Sequence, residues 1–166
     1  VDSCSFINPE NLQDTVDPKI KLYCVPLMYT DRDTKAVKPD HGLTLTPCIM
    51  NPKSRGQVTI ESSNPKDRPL VNPNFLSNED DLKLILSAVK FARRVLKTKP
   101  LSDIIINEYL PGKEINNDDE LIKYCKKMIK TNWHPVGTCR MGRDDDSMAL
   151  LNSRLQVKGV RNLRVF

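Results

Sequence analysis

Residues 77–97 read Ser77-Asn78-Glu79-Asp80-Asp81-Leu82-Lys83-Leu84-Ile85-Leu86-Ser87-Ala88-Val89-Lys90-Phe91-Ala92-Arg93-Arg94-Val95-Leu96-Lys97, and this stretch decides the layering of the fold. Leu82, Ile85, Leu86, Val89, Ala92 and Leu96 recur at spacings of three and four, the pattern of a helix that buries one face. Ser77 with Asp80 three positions on has the form of an N-terminal cap. Glu79, Asp80 and Asp81 suit the positive end of the helix dipole, and Lys90, Arg93, Arg94 and Lys97 gather toward the negative end. The spacing predicts a helix over 79–98 that ends before Pro100. Its apolar face needs a partner, and the preceding residues offer strands. Residues 21–30 read as extended, and Leu43-Thr44-Leu45-Thr46 and Gln57-Val58-Thr59-Ile60-Glu61 alternate apolar with polar. Residues 51–56, Asn-Pro-Lys-Ser-Arg-Gly, lie between the last two with the chemistry of a turn, which predicts a hairpin or meander.

A second helix is predicted over 118–130. Asn117 can cap it with Glu120 reaching back, and Leu121, Ile122, Cys125, Met128 and Ile129 form its buried stripe. The remaining segments read as connections: residues 1–40 outside 21–30 are broken by Pro9, Pro18, Pro26 and Pro39, and residues 62–74 by Pro65, Pro69 and Pro73. Near the end Leu155-Gln156-Val157 alternates, Gly159 marks a turn or bulge, and Leu163-Arg164-Val165-Phe166 begins another short strand. The expected class is α+β: an antiparallel sheet containing 21–30, 43–50 and 56–62, backed by helices at 79–98 and 118–130.

Composition narrows the function classes. With 39% hydrophobic and 28% charged residues among 166, and a mean hydropathy of −0.46, the chain is globular in character, and its apolar runs are too short to span a bilayer. The 26 Lys and Arg against 21 Asp and Glu leave a net charge of +5, a weak lean toward an anionic partner. No run of five like charges occurs, and Lys123, Lys126, Lys127 and Lys130 sit in no recognised nucleic-acid-binding module. They read as a solvated helix face rather than a nucleic-acid surface. Five cysteines, odd in number and never in a Cys-x-x-Cys pair, argue against a disulfide framework or a zinc site and lean toward a reducing compartment such as the cytoplasm. The chain opens on Val1-Asp2-Ser3-Cys4, without an initiator Met or an apolar leader, and stops at Phe166 inside an apolar run. It reads as a piece of a longer protein.

Two histidines are available. His41 sits in a Pro-, Asp- and Gly-rich connection and reads as an exposed loop residue. His134 lies in Asn132-Trp133-His134-Pro135-Val136-Gly137-Thr138-Cys139-Arg140-Met141-Gly142, directly after the second helix, where Pro, Gly and small residues make a backbone that a ligand can approach closely. Trp133 sets a flat apolar wall beside a side chain that titrates near neutral pH, which suits a general base. A Trp-His pair packed on the core would read the same way. Cys139 lacks the local signature of a nucleophile. Asp144-Asp145-Asp146 lacks the Gly and distal Glu of a calcium loop and reads as a charged surface turn, so no metal site is expected.

The string from His134 to Gly142, followed by Asn152-Ser153-Arg154-Leu155-Gln156-Val157-Lys158-Gly159-Val160-Arg161-Asn162-Leu163-Arg164-Val165, closely resembles the C-terminal signature of the glucose-methanol-choline (GMC) flavin oxidoreductases. Residues 51–56, the run Pro69-Leu70-Val71-Asn72-Pro73-Asn74-Phe75-Leu76 and the helix from Asp81 to Arg94 resemble the same family in the same order, so the likeness spans 42–166. It implies an FAD-dependent alcohol oxidoreductase, a dehydrogenase rather than an oxidase, in which His134 accepts the hydroxyl proton as hydride passes to flavin N5 and Trp133 contacts the flavin. It implies residues 1–40 as an irregular lead-in that is part of the substrate-binding domain, 41–131 as that domain's core, and 132–166 as the active-site loop and the return to an FAD domain's sheet. The chain has no Gly-x-Gly-x-x-Gly turn for the FAD pyrophosphate, and the family's second catalytic His or Asn has no counterpart in it. The partners implied are a small alcohol and the FAD-binding domain of the same full-length protein, and the segment alone is expected to be inactive. Choline, a primary alcohol, a sugar and a sterol stay open as substrates. A non-catalytic binding module on the same scaffold and a flavin-dependent lyase are the alternatives.

Overall fold

The computed structural model describes residues 3–28 and 41–166, which pack as two compact units. The first comprises the described residues 3–28, 41–55 and 74–130, the second 56–73 and 131–166.

In the first unit, strands β1 (Ser3–Ile7), β2 (Ile20–Val25) and β3 (Thr44–Ile49) form an antiparallel sheet in that order. Ile7 pairs with Ile20, and Ile20 in turn with Ile49. Strand β3 lies at an edge, where Pro47 costs no shared ladder bond. Helix α1 (Glu79–Leu96) packs on β3, and helix α2 (Asp118–Met128) packs on α1. The core gathers Leu76, Ile85 and Cys125, with Ile49, Leu82, Val89, Tyr124 and Ile129 against them. Ile20 and Leu121 are fully buried, each contributing about 2 kcal/mol of transfer free energy. Arg93, expected to serve only the helix dipole, is half-buried. It donates to Glu108 at 2.8 Å, to the Ile115 carbonyl at 2.8 Å and to the Gly112 carbonyl at 3.0 Å, pinning the 108–115 loop to α1.

The α+β class holds, with the predicted helices in place and corrections in the strands. Ser3–Ile7, read as loop, is a strand, because its partner lies a connection away in β2 and only pairing reveals it. Residues 51–56 do not turn a hairpin between β3 and the next strand. Strand β4 (Gln57–Thr59) instead pairs with β5 (Leu70–Asn72) in a separate two-stranded sheet, so the 56–62 segment is not part of the main sheet. Strand β5 fits between Pro69 and Pro73 in a stretch read as loop. The α1 cap is Asn78, whose side chain accepts from the Asp80 amide at 2.9 Å, rather than Ser77. Asn117 caps α2 as expected, accepting from the Glu120 amide at 2.9 Å. Both helices end two residues early. The predicted 21–30 strand stops at Val25, before Pro26, so residues 26–28 are not strand, and Tyr29 and Thr30 fall outside the described residues. The segments at 155–157 and 163–166 form isolated bridges rather than full strands. They also leave apolar surface open, with Phe166 97% exposed. No helix among the described residues is long and apolar enough to cross a membrane.

Candidate active site

The second unit holds His134 and Trp133, adjacent on the loop that follows α2. Trp133 has φ of 58°, a left-handed conformation uncommon for a bulky side chain and costing on the order of 1 kcal/mol or more. The Trp133 amide donates to the Thr131 hydroxyl at 3.0 Å, which helps to hold the turn. The result is an indole 67% exposed beside an exposed imidazole. Three residues on, Gly137 has φ of 97° and no atom within 4 Å of where a Cβ would stand, so a ligand can reach the backbone there.

The loop's far end is fixed. The Gly142 amide donates to the Leu151 carbonyl at 3.0 Å, and the Leu151 amide to the Arg140 carbonyl at 3.1 Å. Leu151 bridges onward to Val157, and the Lys158 amide reaches the Leu150 carbonyl at 2.9 Å. The Val157 amide then donates to the Leu163 carbonyl at 3.0 Å, and Val165 to Leu155 at 3.2 Å. Ala149, Leu151 and Val157, along this ladder, are each buried. Gly142 is required by close approach: a Cβ there would stand 2.5 Å from the Ala149 Cβ. Asn152 shapes the turn that follows, its side-chain oxygen accepting from the Arg154 amide at 3.0 Å and the Gln156 amide at 3.1 Å.

The acidic run is committed to arginines. Asp146 holds Arg140 through contacts of 2.8 and 3.0 Å, and Asp145 pairs with Arg143 at 3.1 Å. Arg140 first, then the Met148 amide, hold the Asp146 carboxyl below its usual value. Among the described residues no cluster of His, Cys, Asp or Glu could hold a metal ion, and all five cysteines are free thiols. Burial pushes the Cys48 and Cys125 thiols up, away from reactive thiolate character. His41 is exposed in the other unit. Two open concavities of about 500 and 450 Å³ lie on the 141–164 segment, and neither is lined by Trp133 or His134.

Two features escape a reading of the sequence. One is the staple of the His134 loop onto 150–158, whose only linear trace is a small residue at each contact point, Gly142 and Ala149. The other is in the first unit: Asp81, which reads as a dipole-favouring acid, is 3% exposed. It accepts from the Lys53 amide at 2.9 Å, the Ser54 amide at 2.7 Å and the Ser54 hydroxyl at 2.5 Å. The Ser within residues 51–56 was its trace.

Residues 52–166 match the family model described as GMC oxidoreductase. An alcohol dehydrogenase [acceptor] of Pseudomonas putida is 36% identical over 148 residues, covering 89% of this chain and 26% of that protein. An oxygen-dependent choline dehydrogenase of Brucella anthropi is 34% identical, covering 89% and 27%. The crystal structure of pyridoxine 4-oxidase from Mesorbium loti superposes with a TM-score of 0.87 at 26% identity, over 98% of this chain and 31% of that one. The chain thus spans about a quarter of the length of the curated relatives it matches. With the match covering more than half the sequence and containing both the His134 loop and the ladder that anchors it, the chain belongs to the GMC oxidoreductase family.

Proposed function

We propose that this chain supplies the proton acceptor of an FAD-dependent dehydrogenase of alcohols, with His134 as the base and Trp133 as a flavin contact. The observation that carries this reading is the 131–142 loop: an exposed imidazole and an exposed indole side by side, on a backbone fixed at its foot by the Arg140, Gly142 and Leu151 hydrogen bonds. A flat apolar face, a neighbouring proton acceptor and an open backbone at Gly137 fit a planar heteroaromatic ring. The chemistry a bound FAD would supply is that of a hydride acceptor for the alcohol carbon. His134 takes the hydroxyl proton on an imidazole nitrogen. The oxygen thereby gains alkoxide character, which makes the carbinol C–H a better hydride donor. Trp133 would offer the flavin a flat apolar face and, once covered by it, would help to keep water from that spot.

The chain has no Gly-rich pyrophosphate turn, so the FAD-binding domain of the same full-length protein is its proposed partner. Residues 1–131 then serve the substrate side and 132–166 return toward that domain. The exposed apolar side chains of the second unit, Val136 at 93% among them, suit such a contact.

The test uses the protein joined to its flavin-binding segment and loaded with FAD. Anaerobic bleaching of the flavin is followed with choline and with primary alcohols. His134→Ala is expected to slow reduction by roughly 10²–10⁴-fold, and Trp133→Ala to weaken FAD retention. A His134→Ala protein that reduces FAD at the parent rate overturns the assignment.

A further inference from the structure

The chain leaves the first unit after Arg55 and re-enters it at Asn74. The two segments that make this exit and return are tied together inside the first unit. Asp81 holds the exit segment through the Lys53 and Ser54 amides and the Ser54 hydroxyl. The same Ser54 oxygen accepts from the Asn78 amide at 3.1 Å, and the Asn74 side chain donates to the Arg55 carbonyl at 3.0 Å. The Arg55 guanidinium turns back onto the Pro52 and Ser54 carbonyls at 2.7 and 3.0 Å, which stiffens the exit segment further.

What lies between these tied segments belongs to the second unit, together with residues 131–166, and has little strand pairing of its own. Strands β4 and β5 pair at only three positions, Gln57 with Asn72, Val58 with Val71 and Thr59 with Leu70. No residue from 57 to 72 is buried. A two-stranded hairpin with little buried surface is marginal in water, and its ends must be brought together across an intervening loop. Clamping its base removes most of that closure cost.

We propose that Asp81 is the latch of a local opening unit, residues 57–72: its buried carboxylate, through Ser54, holds the two base segments side by side, and releasing it loosens the β4–β5 pairing while α1 and the main sheet stay folded. Asp81 shares the buried side of α1 with Ile85, Ala88 and Ala92, but its own bonds run to Lys53 and Ser54, and through Ser54 to the Asn78 amide, rather than to those apolar residues. Charge-assisted bonds of this kind are the strong ones, and a carboxylate left without its donors in a buried position is costly.

The test is amide hydrogen exchange on the protein, comparing peptides over 57–72 with peptides over 85–96. Asp81→Asn and Ser54→Ala are each expected to raise exchange across 57–72 by about tenfold or more, with 85–96 unchanged. Asp80→Asn, which removes only the exposed ion pair with Lys53, is expected to leave both regions as they are. Unchanged protection at 57–72 in both Asp81→Asn and Ser54→Ala overturns the latch. So does loss of protection in 85–96 together with 57–72 in Ser54→Ala, the milder variant, since the network then supports the whole unit rather than the β4–β5 pairing alone.

Discussion

Gly142→Ala is the sharpest probe of how the His134 loop is held. The new methyl would stand 2.5 Å from the Ala149 Cβ and 2.9 Å from Asp146 Oδ2. Carbon atoms in contact prefer about 3.5–4.0 Å, so the backbone at 142 or at 149 must move by about 1 Å or more. Asp146 can swing aside, at the expense of its Arg140 contact. Ala149 cannot, because it is 4% exposed and its amide is bonded to the Asp146 carbonyl at 3.2 Å. Overpacking of this kind costs about 1–3 kcal/mol, and the displaced strand carries the Arg140 and Gly142 bonds to Leu151. A shift of about 1 Å in a positioned catalytic group can cost on the order of 10²-fold in rate. The complementary change, Ala149→Gly, removes the opposing methyl, so Gly142→Ala with Ala149→Gly should recover most of both losses. A coupling of about 1 kcal/mol or more is expected in a double-mutant cycle. Urea unfolding gives the stability arm, and flavin reduction in the FAD-loaded protein gives the functional arm. If the double variant is as impaired as Gly142→Ala alone, the close approach of 142 to 149 is not what fixes the loop.

Arg93→Ala should cost about 2–4 kcal/mol, because it strands a Glu108 side chain only 21% exposed and frees two loop carbonyls; denaturant unfolding measures this, and Arg93→Lys should recover only part of it, since an ammonium lacks the three-way fork. Leu121→Ala, at a fully buried position, should cost about 2–5 kcal/mol by the same assay. Asp81 should shape the acid limb of stability. Burial pushes its carboxyl up, but the Lys53 amide, the Ser54 hydroxyl and the Ser54 amide outweigh that and leave it below the usual value. Lys53 adds attraction, and Asp80 lies beside it on the same turn. A depressed carboxyl stabilises the fold above its unfolded value, near about 3.9, and that contribution is lost as pH falls through the lower folded value. Stability measured against pH should therefore fall less steeply in acid for Asp81→Asn than for the parent.

The helices were legible because a 3.6-residue rhythm is local, and Asn117 was legible as a cap because its acceptor and the Glu120 amide are three residues apart. Ser77 and Asn78 differ by one position and both can accept a bond. The choice of Asn78 is made partly by Ser54, which takes the Asn78 amide from 24 residues away. Strands β1 and β5 were not legible for a related reason. Ser3–Ile7 is mostly exposed and carries no strong alternation toward a core, and Leu70–Asn72 is a three-residue strand fitted between two prolines. In both, partner strands supply what the sequence pattern lacks. Asp81 was misread because an acid in the first turn of a helix has a sufficient local explanation in the dipole, and only the distant Ser54 reveals its second role.

His134 stood out as a candidate through its Pro- and Gly-rich setting together with the family resemblance, but the way its loop is held was not legible. The stretch from His134 to Gly142 and the stretch from Asn152 to Val165 are separate strings in sequence. In the structure they are parts of one hydrogen-bonded object, with Arg140 and Gly142 on Leu151, Lys158 on Leu150, and Val157 on Leu163. This division of labour is what the proposed role of His134 as a base on a loop requires. The tip must stay open for substrate and cofactor to reach the imidazole, so it cannot be buried in a core. The foot must then supply the rigidity, through backbone bonds that depend on chain geometry rather than on side-chain packing. Substitutions at Leu151 or Val157, which make no claim on the chemistry, should accordingly behave like substitutions at Gly142, lowering the rate of flavin reduction through the position of His134 rather than through any lost contact with substrate.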